Sequence, residues 1–207
     1  VTSPEDDPRL RRWVERLLAA PGLTAVREPR EAWRVHVEDA LYALPYVTHG
    51  PVVDVGSGGG SPGFPLAVAR PELHVVLLES SRRKCAFLEE AAREFPNAEV
   101  VCARAEEHGR GSGRDAYAAA LARALAPPAV AAEWCLPLVR PGGACVLYAG
   151  AGAGDLRPVA RALAAAPPEI VPVGESGNRW LIVLRKLGPT PDRFPRRPGI
   201  ARKRPLA

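Results

Sequence analysis

Leu10, Trp13, Val14, Leu17 and Leu18 recur three and four apart between about Asp7 and Ala20, the spacing of one helical face, and Pro21-Gly22 ends the run. A second helix is predicted from Pro29 to about Leu44, opened by proline and acid and closed before Pro45. From Pro51 the pattern changes. Short apolar runs at 51–55, 74–79, 98–102, 117–122, 144–149, 169–173 and 179–185 read as strands. Between them lie helical stripes near 63–69, 81–95, from Ala105, 127–138 and 155–166. Arg140-Pro141-Gly142-Gly143 reads as a turn into the fifth strand. Strands and helices alternating at this spacing imply a doubly wound, mostly parallel seven-stranded α/β sheet behind a helical extension. The expected division is 1–48 for the extension, 49–187 for the core and 188–207 for a basic tail.

At 207 residues and 47% apolar content the chain has enough material for one core. It contains no run of about 18 uncharged apolar residues to span a membrane, and the opening VTSPEDDPRLRR is too charged for a signal peptide. A cytoplasmic protein is expected. Cys85, Cys102, Cys135 and Cys145 lie far apart without metal-ligand spacing, so free buried thiols and no bound metal are expected. From Arg185 onward eight cationic side chains face Asp192 alone, a net +7 in a chain whose total is +5. A basic tail on a slightly acidic body suggests a phosphate-bearing partner. The prolines after Gly188 predict that this tail is extended.

The chemistry concentrates after the first strand. Val52–Val55 runs into Gly56, Gly58 and Gly60, whose missing side chains let backbone amides reach a ligand. Glu79 closes the next strand at the distance where an acid meets ribose hydroxyls. In doubly wound sheets ligands lie outside the carboxyl ends of the strands where the winding reverses. That gathers the glycine turn, Glu79, Ala105-Glu106 and Arg123 around one crevice.

Two patterns overlap in the turn. Gly58, Gly60 and Gly63 satisfy G-x-G-x-x-G, which leaves an NAD-dependent oxidoreductase open and predicts a catalytic His or Tyr-Lys pair nearby. Counting from Asp54 gives D-x-G-x-G-x-G, which resembles the turn of S-adenosylmethionine methyltransferases; an acid inside the strand suits that cofactor's positive charge. If the donor is S-adenosylmethionine, the acceptor can be narrowed. Ala126-Pro127-Pro128-Ala129 offers no amide or acid to polarise an exocyclic amine, and no crevice cysteine follows a proline to attack a pyrimidine carbon. Guanine N7 needs neither device, because its lone pair lies in the ring plane and alignment suffices. Arg123 could then bridge cofactor and base through O6 and N7.

DVGSGGGSPGFPLA (54–67), LLESSRRKCAFLE (77–89), RAEE (104–107) and ARALAP (122–127) resemble the bacterial 16S rRNA guanine-N7 methyltransferases, the glucose-inhibited division protein B family. Gly22-Leu23-Thr24 with His36 and Asp39, and the tail PTPDRFPRRPGIARKRPL, resemble the family's ends. The resemblance implies a Rossmann-like class I methyltransferase. Its expected reaction is methylation of N7 of a guanosine in the 530 loop of 16S rRNA, position 527 in the usual rRNA numbering, in the small ribosomal subunit or its precursor. It further implies that Gly56, Ser61, Ala105, Glu106 and Arg123 contact the cofactor beside Asp54, Gly58, Gly60 and Glu79. Three departures stand out: Gly22 where the family has Asn, Ser61 where it has a bulky apolar residue, and Ala149 where it has Lys.

His36 and Asp39, three apart, share a helical face that could meet RNA, and Arg179 opens the last strand at the same mouth. Arg193, Arg196, Arg197, Arg202, Lys203 and Arg204 are expected to contact phosphates without reading sequence. A third reading is an RNA-binding protein that kept the fold and lost the cofactor.

Overall fold

The computed structural model describes residues 4–150, 154–174 and 179–206. Its sheet contains β1 (Val52–Val55), β2 (Val75–Glu79), β3 (Ala98–Cys102), β4 (Tyr117–Arg123), β5 (Val139–Ala149), β6 (Glu169–Val173) and β7 (Arg179–Arg185). The spatial order is β3-β2-β1-β4-β5-β7-β6. β1 to β5 pair in parallel, and β7 runs antiparallel to both β5 and β6. The doubly wound reading therefore holds, and the winding reverses between β1 and β4. The strand ends fall within a residue or two of the expected ones, apart from β5. There the expected turn at 140–143 is part of the strand, because Gly142 N–H bonds to Lys186 O at 2.8 Å and Lys186 N–H to Gly143 O at 2.9 Å.

Alternate residues of each strand feed opposite faces. Val52, Val75, Leu77 and Leu121 meet α1 (Pro8–Ala19) and α3 (Gly63–Ala69) on one side. Val53, Val55, Leu78 and Leu147 meet α6 (Pro128–Cys135) and α7 (Arg157–Ala162) on the other. The helical extension shares the first core: Trp13 packs edge-on to Phe64 at 5.7 Å, and Phe64 stacks on Phe95 at 4.4 Å. Asp7 caps α1 by accepting from Arg9 N–H at 2.8 Å.

The expected second helix is one helical run with a changing pitch: α2 (Pro29–Trp33), a π-helical turn over Arg34–Glu38 and a 3₁₀ stretch over Asp39–Tyr46. Side chains from outside the run bond to its carbonyls. Arg123 reaches Val35 O at 2.5 Å, Ser61 Oγ reaches His36 O at 2.7 Å, and Tyr148 Oη reaches Ala40 O at 2.5 Å. Outside donors compete for the acceptors that a regular α-helix would keep for itself.

Two expectations are corrected. The tail is not extended: it folds back on the body and ends in α8 (Ile200–Lys203), which packs on α6. Phe194 is buried in the second core, and Arg114 donates to Phe194 O at 2.6 Å and Thr190 O at 2.7 Å. Lys186, wholly buried, bonds to Asp115, Leu136 O and Thr190 Oγ1. The prolines suit an extended chain, but an apolar anchor and buried polar partners decide where it lies. The second correction concerns the thiols. Cys85 and Cys102 form a disulfide between α4 (Arg82–Ala92) and the end of β3, while Cys135 and Cys145 are free and buried.

Candidate functional site

The site grows from the end of β1. After Val55 the backbone turns through Gly56 at φ +70°, where a Cβ would collide with Leu125 from the loop beyond β4. Only glycine combines that left-handed conformation with so close a neighbour. Gly56 N–H bonds to Leu78 O at 2.7 Å, and Ser57 Oγ donates to Asp54 O at 2.8 Å. The loop is thus tied to both strands beneath it. From the other side, Trp13 Nε1 donates to Gly59 O at 2.8 Å, and Leu17 occupies the space a Cβ on Gly59 would need.

Glu79 organises the loop from β2. Its carboxylate accepts from Gly58 N–H at 3.0 Å and from Ser80 and Ser81 N–H at 2.8 Å each. Those bonds leave it limited capacity for a further donor such as a ribose hydroxyl. Asp54 has a different position from the one its place in the motif suggests. It is 1% exposed, lines neither cavity described below, and accepts from Gly63 N–H at 3.1 Å. Burial pushes its carboxyl up to about 7, against the opposing bond from Gly63. Asp54 therefore closes the loop onto α3 rather than facing a ligand. The first amide of that helix is already taken by a carboxyl, where a pyrophosphate-binding turn would keep it free.

Two cavities open over this end of the sheet and share Gly56. The smaller, about 230 Å³, is walled by Val55, Leu78, Leu125 and Trp134, with Ala105 and Glu106 from α5 (Ala105–His108). The tail closes it: Gly199 N–H donates to Glu106 Oε1 at 3.1 Å, and the Arg202 guanidinium lies 5.2 Å from the centre of the Trp134 ring. Trp134 Nε1 is buried without a hydrogen-bond partner among the described residues. The larger cavity, about 600 Å³, is bounded by the glycine loop, Ser61, His36, Asp39, Arg123, Tyr148 and Arg179.

Arg123 ends β4, and the chain bends away through Ala124 in the left-handed region at φ +53°. The guanidinium donates to Val35 O at 2.5 Å and to His36 Nδ1 at 2.8 Å. His36 Nε2 lies 2.8 Å from Thr24 Oγ1. Burial and the adjacent Arg123 charge lower His36 to about 4, so the ring is neutral near pH 7. Asp39 forms an ion pair with Arg179 at the mouth; its carboxyl is raised by burial, against the pull of that arginine.

Of the residues expected to touch a ligand, Gly56, Gly58, Ser61, His36, Asp39, Arg123 and Arg179 line the larger cavity, and Ala105 and Glu106 line the smaller. Gly60 packs against Phe64 and lines neither cavity, and Glu79 acts through the loop amides. In the tail, Arg193, Arg197, Arg202, Lys203 and Arg204 are exposed. Arg196 is not free for phosphate: its guanidinium forms a two-point ion pair with buried Glu133. Sequence reasoning missed Thr24 as a partner of His36, and it missed Leu125, Trp134, Tyr148 and Lys84 as cavity walls. Lys84 sits in a segment already singled out by its motif, whereas Trp134 carries no local signal.

The family model described as rRNA small subunit methyltransferase G matches residues 8–162. A relative from Moorella thermoacetica named ribosomal RNA small subunit methyltransferase G is 40% identical over 197 residues, covering 89% of this chain and 82% of its own length. Relatives of the same name from Synechococcus elongatus and Rubrobacter xylanophilus are 39% and 40% identical over 89% and 87% of this chain, and over 82% and 75% of their own. Among solved structures, a mutant of MtNAS in complex with S-adenosylmethionine aligns with a TM-score of 0.58 at 11% identity, over 86% of this chain and 72% of that one. The S-adenosylmethionine-dependent methyltransferase SibL in its apo form aligns with a TM-score of 0.57 at 17% identity, over 84% and 62%. At such identities the structural likeness establishes the fold.

Proposed function

The chain belongs to the rRNA small subunit methyltransferase G family, and from that premise we propose that it transfers a methyl group from S-adenosylmethionine to N7 of a guanine in small-subunit rRNA. The observation that carries this reading is the pair of cavities meeting at Gly56, the smaller walled by Val55, Leu78 and Leu125 with Glu106 among them, the larger lined by Arg123 and Arg179. The residues fit the cofactor. Val55, Leu78 and Leu125 offer apolar walls to an adenine, Glu106 offers an acceptor for its amine, and the Gly56–Gly58 backbone lines the larger cavity into which the chain beyond would pass. When bound, S-adenosylmethionine supplies an activated methyl group on a sulfonium.

The chain's own residues then have a limited task, since guanine N7 has no proton to lose before attack. They hold the base so that its in-plane lone pair faces the methyl group, and orientation of this kind contributes roughly 7 to 11 kcal/mol in well-placed systems. The pairing of Arg123 with both O6 and N7 needs revision. N7 cannot accept a hydrogen bond through the lone pair that attacks, so Arg123 serves O6, where charge rearranges as the ring becomes cationic. Arg123 keeps N–H groups beyond the two that bond to Val35 and His36.

Arg193, Arg197, Lys203 and Arg204 are exposed on the segment that closes the smaller cavity, and they supply phosphate contacts without base readout, whereas Arg202 lines that cavity beside Trp134. Both the family match and the occupied amide at Gly63 count against the oxidoreductase reading.

The test uses small subunits from a strain lacking the modification, incubated with the protein and labelled S-adenosylmethionine. Label in the rRNA with borohydride-aniline cleavage at one guanosine is the expected result. Label without cleavage overturns the N7 assignment. Failure to bind the cofactor in a calorimetric titration returns the reading to a non-catalytic RNA binder.

A further inference from the structure

We infer that Thr24 and His36 are positioning residues for Arg123, setting the plane of its guanidinium for the methyl transfer proposed above, on which this inference rests. The chain of contacts runs from the loop before α2 to the end of β4. Arg123 can only donate, so its bond to His36 Nδ1 at 2.8 Å requires a bare lone pair there. A neutral ring then carries its proton on Nε2, which faces Thr24 Oγ1 at 2.8 Å as the acceptor. Thr24 Oγ1 also accepts from Val26 N–H at 3.1 Å, which fixes the hydroxyl to its own loop. The second anchor on Arg123 is Val35 O, one residue before His36 on the same π-helical turn.

Two contacts from one turn hold a planar group in rotation as well as position. Both ring nitrogens of His36 are engaged, so this histidine cannot contact RNA without releasing Arg123 or Thr24. Its expected role as a substrate contact is replaced by one that acts through the arginine. The charged groups around the ring are Arg123 from β4, with Asp39 and Arg179 on the same cavity wall, and burial keeps the ring neutral beside them. Ser61 strengthens the arrangement, since its hydroxyl holds His36 O at 2.7 Å. A bulky apolar side chain there would lack that bond.

The test measures kcat, KM for S-adenosylmethionine, KM for the small subunit and the melting temperature of the full chain and four variants. Thr24→Val removes the acceptor with little change of shape, and His36→Leu removes both bonds. Each is expected to lower kcat about tenfold or more, as misplacement of a positioning group does, with both KM values within about twofold. Thr24→Ser restores the acceptor, and His36→Asn places an oxygen near the Nδ1 position; both are expected to recover most of the rate. Full kcat in Thr24→Val and His36→Leu at unchanged melting temperature overturns the assignment. A rise in KM for the small subunit alone also overturns it, in favour of direct RNA contact. Should His36→Leu fail to fold, the Thr24 pair decides, because Thr24 lies in a partly exposed loop. If the unaltered protein puts no methyl on the small subunit, the underlying reading fails; if it does and Thr24→Val matches it, only this inference fails.

Discussion

Trp13 donates its indole N–H to the carbonyl of Gly59 across 2.8 Å, joining the first helix of the extension to the glycine loop that follows β1. The extension is thereby part of the site's support. Trp13 is 1% exposed, so its hydrogen bond and its ring act in a dry setting.

Trp13→Phe keeps an aromatic ring against Phe64 and removes the donor from Gly59. The expected loss is about 1 to 2 kcal/mol of stability, from the unpaired carbonyl and the smaller ring. KM for S-adenosylmethionine is expected to rise several-fold as the loop loosens. Denaturant melts and cofactor titrations on one preparation check both, and an unchanged KM would separate the tether from the cofactor loop.

Gly56→Ala forces a left-handed backbone on alanine and drives its Cβ into Leu125. Cofactor affinity is expected to fall by more than tenfold, roughly the 1.4 kcal/mol or more that such strain represents. Leu125→Ala in the same chain removes the collision but leaves the strain, so recovery should be partial. Isothermal titration of the single and double variants measures it.

Arg196 and Glu133 form a pair in which the carboxylate side chain is 3% exposed and the guanidinium 22%. Arg196→Ala leaves Glu133 buried without a partner and is expected to cost about 3 kcal/mol, read as a lower melting temperature. The salt dependence of RNA binding should not change with it. Arg197→Ala or Lys203→Ala should do the reverse, leaving stability intact and flattening the slope of log affinity against log salt by about 0.7 to 0.9 for each lost phosphate contact. Filter binding over a salt series distinguishes the two groups.

Asp54 gives a pH test with a definite sign. Its folded-state carboxyl is raised from 3.8 to about 7, so the folded chain binds the extra proton between those values and the contribution of Asp54 declines as pH rises through that window. Asp54→Asn keeps an acceptor for Gly63 N–H without the charge. Relative to the unaltered chain, the variant should gain stability as pH goes from 5 to 8, by an order of a few kcal/mol at most. His36 works in the opposite direction: lowered to about 4, it contributes fully above its ordinary 6.5 and less as pH falls towards 4. Differences between variant and parent are therefore the quantity to measure, since the two slopes oppose each other in the parent. A difference that does not grow between pH 5 and 8 would show Asp54 already ionised.

Much of the fold could be read from the chain because its signals are local. The alternation of apolar runs with helical stripes located the strands, and the glycines after Val55 marked the turn, though not that Gly56 passes close to Leu125 while Gly59 and Gly60 pack against Leu17 and Phe64. The π-helical turn at Arg34–Glu38 could not be read, because no propensity encodes that Arg123 takes a carbonyl 88 residues away. Thr24 was visible only as part of a motif; that it holds His36 required the loop to be brought over the helix.

By itself the sequence determined the order of elements, the side of the sheet on which the site opens and the acids and glycines that build its loop, because periodicity and left-handed backbone are properties of neighbouring residues. Only the tertiary structure decided which polar groups are free. Arg196 is consumed by Glu133, Asp54 by Gly63 and His36 by Arg123 and Thr24, while the proline-rich tail closes a cavity instead of reaching outward. A buried polar group takes whatever partner the packed chain brings within about 3 Å, and that distance is set by the whole fold rather than by position along the chain.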